Sequence, residues 1–495
     1  MNRRRITALS SLAAATALAF QGVVSPSVRA ADEPDRMGRY IVVLDDTAGA
    51  DPTALAGRQL RGLGRGPSPR AVFRYALKGY AADLTPAQAA RLGQASGVRF
   101  VAPERTYRPA TRPVRPPAVK ASAARAGAGG EVAPVSGSCR TAVDVTRRQC
   151  LPEWADRIEA DESSTRSGDG RGAVAGVNVA VIDTGITGGH PDLNVRGGTD
   201  CVTGSPVVPG AALSDPLLFG TSLAGIVGAR DNGIGVVGTA PGAPLWSYKV
   251  FPDDGRDATD AALLCALDRV AASRADADPG NDVHVATMAF ASTNLTPADD
   301  GRCGAVLHDA LHQAVCAATR AGVTLVAAAG SFRFDIAVAA PASYDEVLTA
   351  TAMADFDGRP GGGPGADCRG DDMGGFGFAD DQVAIPLASF ARAAADRRHL
   401  VAAPGVCVAT TPPVGEPLPL LVTGTGPATA VAAGTTALCV AVRRCPVGDP
   451  ARTIRTVVGD AAHRQLIDAR HGYYGDPGHP IRGRYYGPLL AADRY

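Results

Sequence analysis

Hydrophobic positions follow two regimes along the chain. Up to about residue 108 the apolar runs are short, and turn and helix signals separate them. "RYIVVLDD" reads as a strand, "PTALAGRQLRGLG" as a helix ending on glycine, and "AVFRYALKGYAADL" as alternating strands. "TPAQAARLGQASG" has Thr85 to cap a helix, Pro86 in its first turn and Gln88 to complete a capping box. "VRFVAPERTYR" is a last strand. The order β-α-β-β-α-β predicts a small α+β domain of the split βαβ type. From Cys139 onward the apolar runs become continuous: "VNVAVIDTG", "APLWSYKVF", "VHVATMAFA", "VTLVAAAGS", "EVLTATAMA" and "HLVAAPG". Such runs fit central strands of a parallel sheet covered on both faces. "ATDAALLCALDRVAASRA" and "AVLHDALHQAVCAATRAG" read as helices between them. The expected fold is a doubly wound α/β domain, with its site at the carboxyl ends of the strands.

One stretch competes between two readings. "LPLLVTGTGPATAVAAGTTALCVAV" carries no charge over more than 20 residues, long enough for a membrane span. It is rich in Gly, Thr and Ala and is broken by Pro427, so it reads instead as a turn and a helix buried in the core. Between the two domains, residues 109–138 are dominated by proline and small residues and are expected as an extended linker. The tail, 446–495, is polar and rich in Gly and Tyr, with no recognisable chemistry.

The N-terminus reads as a signal peptide, residues 1–30. Arg3, Arg4 and Arg5 precede a short apolar core, and small residues end it at Ala30. The chain is thus expected to be secreted and extracellular, with no stable membrane anchor. Lys+Arg and Asp+Glu balance at 49 each, so no field attracts nucleic acid. Ten cysteines in an exported chain suggest disulfides, and none forms a CxxC pair. Cys139/Cys150 and Cys303/Cys316 are spaced to close short loops; the connectivity is not readable.

"VAVIDTGITGGHPDLNVRGG", closing a strand on Asp183, resembles the first catalytic block of the subtilisin family of serine proteases, where this aspartate orients the catalytic histidine. The resemblance extends from about Trp154 to Cys439. The family's H-G-T-H-V-A-G block reads F-G-T-S-L-A-G here, which places Phe219 at the histidine. Its G-T-S-M-A-x-P-H-V-A-G block reads "GTGPATAVAAG", which places Gly426 at the nucleophilic serine. The oxyanion asparagine corresponds to Ser331, and the substrate-pairing strand to Ala289, Phe290, Ala291 and Ser292. The segment 31–108 resembles the family's inhibitory propeptide, so the domain order is signal, propeptide, linker 109–138, peptidase-like domain 139–445 and tail.

The resemblance implies a peptidase scaffold without its catalysts. A nucleophilic hydroxyl needs a base in reach and donors at the oxyanion; phenylalanine accepts no proton and glycine carries no nucleophile. The expectation is a secreted pseudoprotease that binds peptides or proteins, with its own propeptide as a partner in cis and extracellular peptides or proteins as others. The rivals are an active serine endopeptidase and a structural extracellular protein. The resemblance further implies a structural calcium ion held by Asp192, Arg230, Asn232, Ile234 and Val236, oxygen ligands that suit this hard cation. His308 and His312 stand four apart on a predicted helix, a metal-like spacing with no third ligand nearby in sequence; a surface or packing role is expected for them.

Overall fold

The computed structural model describes residues 36–45, 51–64, 68–114, 149–361 and 378–495, except 209, 297, 386 and 417–418. The signal peptide, most of the linker, Cys139 and Cys368 lie outside the described residues. The N-terminal domain comprises β1 (Gly38–Leu44), α1 (Pro52–Arg61), β2 (Ala71–Phe73), β3 (Gly79–Leu84), α2 (Pro86–Gly93) and β4 (Val98–Pro103). Its antiparallel sheet has the order β2-β3-β1-β4, which is the expected split arrangement. The capping box forms: Gln88 N donates to Thr85 Oγ1 at 3.2 Å, and Thr85 N donates to Gln88 Oε1 at 2.9 Å. Alternation in β1 and β3 feeds two cores, because one sheet face meets its own helices and the other meets the larger domain.

The larger domain runs from α3 (Glu153–Arg157) through β7 (Asn178–Asp183), β8 (Val195–Asp200), α4 (Phe219–Gly228), β9 (Leu245–Lys249), β10 (Ala258–Thr259), α5 (Asp260–Ser273), β11 (Val283–Met288), β12 (Phe290–Ser292), α6 (Ala310–Arg320), β13 (Thr324–Ala328), β14 (Val347–Ala354), β15 (Gln382–Val383), β16 (Leu400–Pro404), β17 (Val408–Thr410), β18 (Leu420–Gly424), α7 (Thr425–Ala441) and α8 (Pro450–Ile467). Two further strands, β5 (Thr106–Pro109) and β6 (Thr111–Val114), join the domains. Seven parallel strands run β8-β9-β7-β11-β13-β14-β16, and β15 pairs antiparallel with the end of β14. The continuous apolar runs are buried on both faces, as in all six residues of β7. The chain reverses direction of winding at β7, so a crevice opens over the ends of β7, β11 and β13.

The uncharged stretch resolves into β18 and the core helix α7, of which all but the last residue is buried. Among the described residues no helix is long and apolar enough to cross a membrane. The tail is structural. α8 packs on the core, Tyr473, Tyr486 and Tyr495 are buried, and the last residues lie beside β16, where Ala402 N donates to Pro488 O and Leu490 N to Ala402 O. Disulfides join Cys201–Cys265, Cys303–Cys316 and Cys439–Cys445; Cys150 and Cys407 are also bonded. His308 and His312 part company: His308 stacks on Phe100 of β4 at 4.9 Å, while His312 is wholly buried against Tyr344.

Candidate active-site cleft

β7 delivers Asp183 to the floor of the crevice, fully buried. Its Oδ1 accepts from Thr184 N at 2.8 Å, and its Oδ2 meets no hydrogen-bond donor. Burial raises its pKa to about 7; the Thr184 amide opposes this, the nearby Asp215 adds to it, and Lys249 relieves it in part. Asp215, which no sequence motif marked, accepts from Thr184 Oγ1 and from the amides of Leu218 and Thr221. It thereby caps the start of α4 and ties it to the turn after Asp183. Gly220 N also donates to Thr184 Oγ1, at 2.9 Å. Phe219, half-buried, is thus fixed at the first position of α4, next to the Asp183 turn.

The crevice is filled by the chain itself. The sequence predicts one strand over "VRFVAPERTYR", but the structure breaks it after Pro103. Glu104 N still donates to Arg39 O at 2.9 Å; beyond it the chain leaves the N-terminal sheet and enters the larger domain. β5 lies between β10 and β12, with Tyr107 opposite Ser292, Arg108 opposite Ala291 and Pro109 opposite Phe290. Ala110 N donates to Ala289 O at 2.8 Å. All four residues of the expected substrate strand therefore hold one extended segment, through alternate backbone bonds. Immediately after Ala110 the chain continues as β6, antiparallel to β18, with Thr111 opposite Gly424. The first residues of the proline-rich stretch after 109 thus run extended through the crevice.

The Ala110–Thr111 peptide bond lies where Ser331 and Gly426 converge. The Ala110 carbonyl accepts from Gly426 N at 3.0 Å and from Ser331 Oγ at 3.1 Å, and Thr425 N donates to Ser331 Oγ at 3.0 Å. Two donors thus converge on one carbonyl oxygen. A Cβ at Gly426 would stand 3.2 Å from the Ala110 carbonyl carbon and would overlap the Thr111 hydroxyl. Thr111 is buried, and its hydroxyl meets no hydrogen-bond partner. Gly424 has φ 135°, and a Cβ there would overlap the Ala110 oxygen. Both glycines are therefore required by the backbone and side chain that pass over them.

A buried polar network anchors the segment. Arg105 donates to Asp260 and to both oxygens of Asp309, 155 and 204 residues away. Tyr107 OH donates to Asp260 at 2.7 Å, and Tyr344 OH donates to Asp309 at 2.8 Å. Burial pushes the Asp309 carboxyl up, but Arg105 more than reverses this and holds it below the usual carboxylate range. On the N-terminal domain, Asp268 of α5 accepts the amides of Arg74, Tyr75 and Ala76 at 2.5–2.9 Å.

A second locus lies behind α4. Arg230 N donates to Asp192 O, and Asn232 Oδ1 accepts from Ile234 N at 3.1 Å. Asp192 is buried and neither carboxylate oxygen meets a donor in good geometry; burial raises its pKa to about 7, against partial relief from Val236, Asn232 and Arg230. The carbonyls of Arg230 and Val236 both converge on the Gln149 side-chain amide, whose Oε1 accepts from Gly233 N at 3.2 Å. Gln149 has no local motif. It reaches this loop because Cys150 bridges to Val236. A carboxyl with two orphaned oxygens, on a loop that also presents the Arg230 and Val236 carbonyls, is a donor set that fits a hard cation, whose charge would favour the ionised form.

Residues 175–475 match the Subtilase family, and residues 39–110 match the family described as Peptidase inhibitor I9. Subtilisin BL of Lederbergia lenta is 34% identical over 204 residues, which cover 41% of this chain and 64% of that protein. An alkaline protease of Shouchella clausii is 34% identical over 186 residues, 38% of this chain and 41% of that protein. The chain thus spans less than two thirds of either relative. The crystal structure of fervidolysin from Fervidobacterium pennivorans, described as a keratinolytic enzyme related to subtilisin, covers 93% of this chain and 61% of its own with a TM-score of 0.57. At 16% identity that likeness speaks to the fold alone.

Proposed function

Because this chain belongs to the subtilase family, we propose that it is a secreted, catalytically silent member of it, whose peptide cleft is permanently occupied by its own propeptide segment. One observation carries this reading: the Ala110 carbonyl rests on two donors, and the residue facing its carbon, where a nucleophile would attack, is Gly426, which has no side chain. Of the triad only Asp183 remains, and its free Oδ2 faces no imidazole because Phe219 stands at the histidine position. In a subtilisin, losing the serine or the histidine alone lowers kcat by about 10⁶, a magnitude measured in this family rather than deduced from this chain. Two such losses leave binding without turnover. An external peptide must compete with a tethered one whose effective concentration is on the order of millimolar. Weak ligands are excluded, and partners that dock without entering the cleft are favoured.

The reading is tested with an active-site fluorophosphonate probe and unfolded casein. The expected outcome is no serine labelled and no cleavage above that of a heat-denatured control. Stoichiometric labelling of one serine would instead support an active endopeptidase.

Asp192, the carbonyls of Arg230 and Val236, and the Gln149 side chain turned to present Oε1 would hold calcium, with Asn232 and Ile234 completing the loop. The ion would satisfy the orphaned Asp192 oxygens and clamp the residue 149 region to the loop after α4. At a free concentration a hundredfold above Kd, binding adds about 2.7 kcal/mol. Melting in 1 mM calcium is therefore expected about 5 °C above melting in chelator. Asp192→Asn should abolish the difference.

A further inference from the structure

The geometry points to a transition-metal site, for a dication such as zinc, formed by His312 on α6 with Asp299 and Asp300 from the loop after β12 and backed by Glu346. Nothing in this inference depends on the cleft or on the Asp192 loop. One ligand atom from each of Asp299, Asp300 and His312 lies within 4.8 Å of the others. The decisive observation is His312 itself. Its side chain is wholly buried, and its Nδ1 has no hydrogen-bond partner. That nitrogen faces Asp300 Oδ1 at 3.8 Å, too far for a hydrogen bond and slightly wider than the roughly 3.4 Å between ligands on a tetrahedral zinc with bonds of about 2.05 Å.

The other ring nitrogen explains the orientation. His312 Nε2 lies 2.9 Å from Glu346 Oε2. A carboxylate that takes the Nε2 proton leaves Nδ1 as a lone pair, and this carboxylate–histidine relay is the usual outer support of a metal-bound imidazole. Stacking on Tyr344 at 4.0 Å fixes the ring plane.

The two aspartates differ in what they have left to give. Asp300 is saturated by backbone: Oδ1 accepts from Arg302 and Gly304, and Oδ2 from Val306 and Leu307, at 2.7–3.0 Å. It supplies a fixed charge and at most one shared oxygen. Asp299 accepts a single amide on each oxygen, Gly301 on Oδ1 at 2.6 Å and Asp345 on Oδ2 at 3.0 Å, and so retains a lone pair on each. Asp299 is part-exposed, which gives an ion a route in, whereas the Asp300 side chain is only 4% exposed. The Cys303–Cys316 disulfide staples this loop to α6, so the aspartates and the imidazole are held in register without the ion. One nitrogen with carboxylate oxygens is a borderline donor set that prefers zinc or cobalt to calcium. His308, the partner suggested by sequence spacing, is excluded because it stacks on Phe100.

The test uses the full secreted protein, stripped with chelator and held in 1 mM calcium, titrated with cobalt and then zinc. The expected result is one equivalent of cobalt with visible ligand-field absorption, displaced by zinc at micromolar concentration, and a zinc-dependent rise in melting temperature. Asp299→Asn and His312→Gln should each remove that equivalent, and Glu346→Gln should weaken it by about 10–100-fold. Should His312→Gln fail to fold, Asp299→Asn decides, since an asparagine still accepts the Asp345 amide. No binding up to 100 µM zinc, as expected if His312 is simply an imidazolium shared between Glu346 and Asp300, overturns the inference. So does unchanged binding in Asp299→Asn.

Discussion

A chain carrying Phe219→His, Gly426→Ser, Ser331→Asn and Thr111→Gly should cut itself between Ala110 and position 111. The Ala110 carbonyl already sits on the Gly426 amide, and a Cβ at 426 would stand 3.2 Å from its carbon, so a serine oxygen would start in near-attack range. Asp183 would hold the new imidazole in its proper tautomer, and the new asparagine would donate where Ser331 Oγ now does. Thr111→Gly is essential because the Thr111 hydroxyl occupies the space a serine side chain needs. Gly426→Ser alone should therefore force β6 off β18 without cutting anything, seen as faster limited proteolysis around residue 111. Single reversions should show no cleavage, since the triad acts as a unit. The measurement is the mass of the products over hours. The absence of self-cleavage in the folded quadruple variant would mean that the cleft differs from a working one by more than these four side chains.

Arg105→Ala should be the most damaging single substitution in the segment that fills the cleft. It strands Asp260 and Asp309, both nearly buried, without their cation. Breaking a buried pair from one side costs about 3–5 kcal/mol, because a charge is left uncompensated. The loss falls on the docking of β5, so Tyr107 and its bond to Asp260 should loosen with it. Arg108→Ala is the control: its pair with Asp257 is 61% exposed on the arginine side and should contribute less than about 1 kcal/mol. Chemical denaturation should separate the two variants clearly. Equal midpoints would show that the buried network does not hold the segment.

What the sequence disclosed and what it hid divide by the range of the interaction. The Thr85–Gln88 box, the strand ending at Asp183 and the buried α7 are local patterns, and each formed where the pattern lies. Arg105 carries no motif in the sequence, because its two partners lie on other elements far along the chain. Gln149 lies more than 40 residues before Asp192, with no motif around it, and only the bridge of Cys150 to Val236 brings it in. Pro109–Val114 looked like linker because prolines deny regular secondary structure. They form strands because both walls of the cleft offer a template for an extended chain. The tail looked polar because tyrosine counts as half polar, yet Tyr473 and Tyr486 bury their rings in the core. His312 shows the same limit: the spacing to His308 was visible, but the carboxylates around it come from two other loops.

The most direct measurement of the central claim is the intact mass and N-terminal sequence of the protein secreted by a host lacking extracellular proteases. A silent, self-occupied cleft requires the bond between Ala110 and Thr111 to remain whole, so the expected result is one covalent chain that includes the N-terminal domain. A mature protein beginning at Thr111, with a separate fragment ending at Ala110, would show that the cleft cuts the segment it holds and would contradict the proposal.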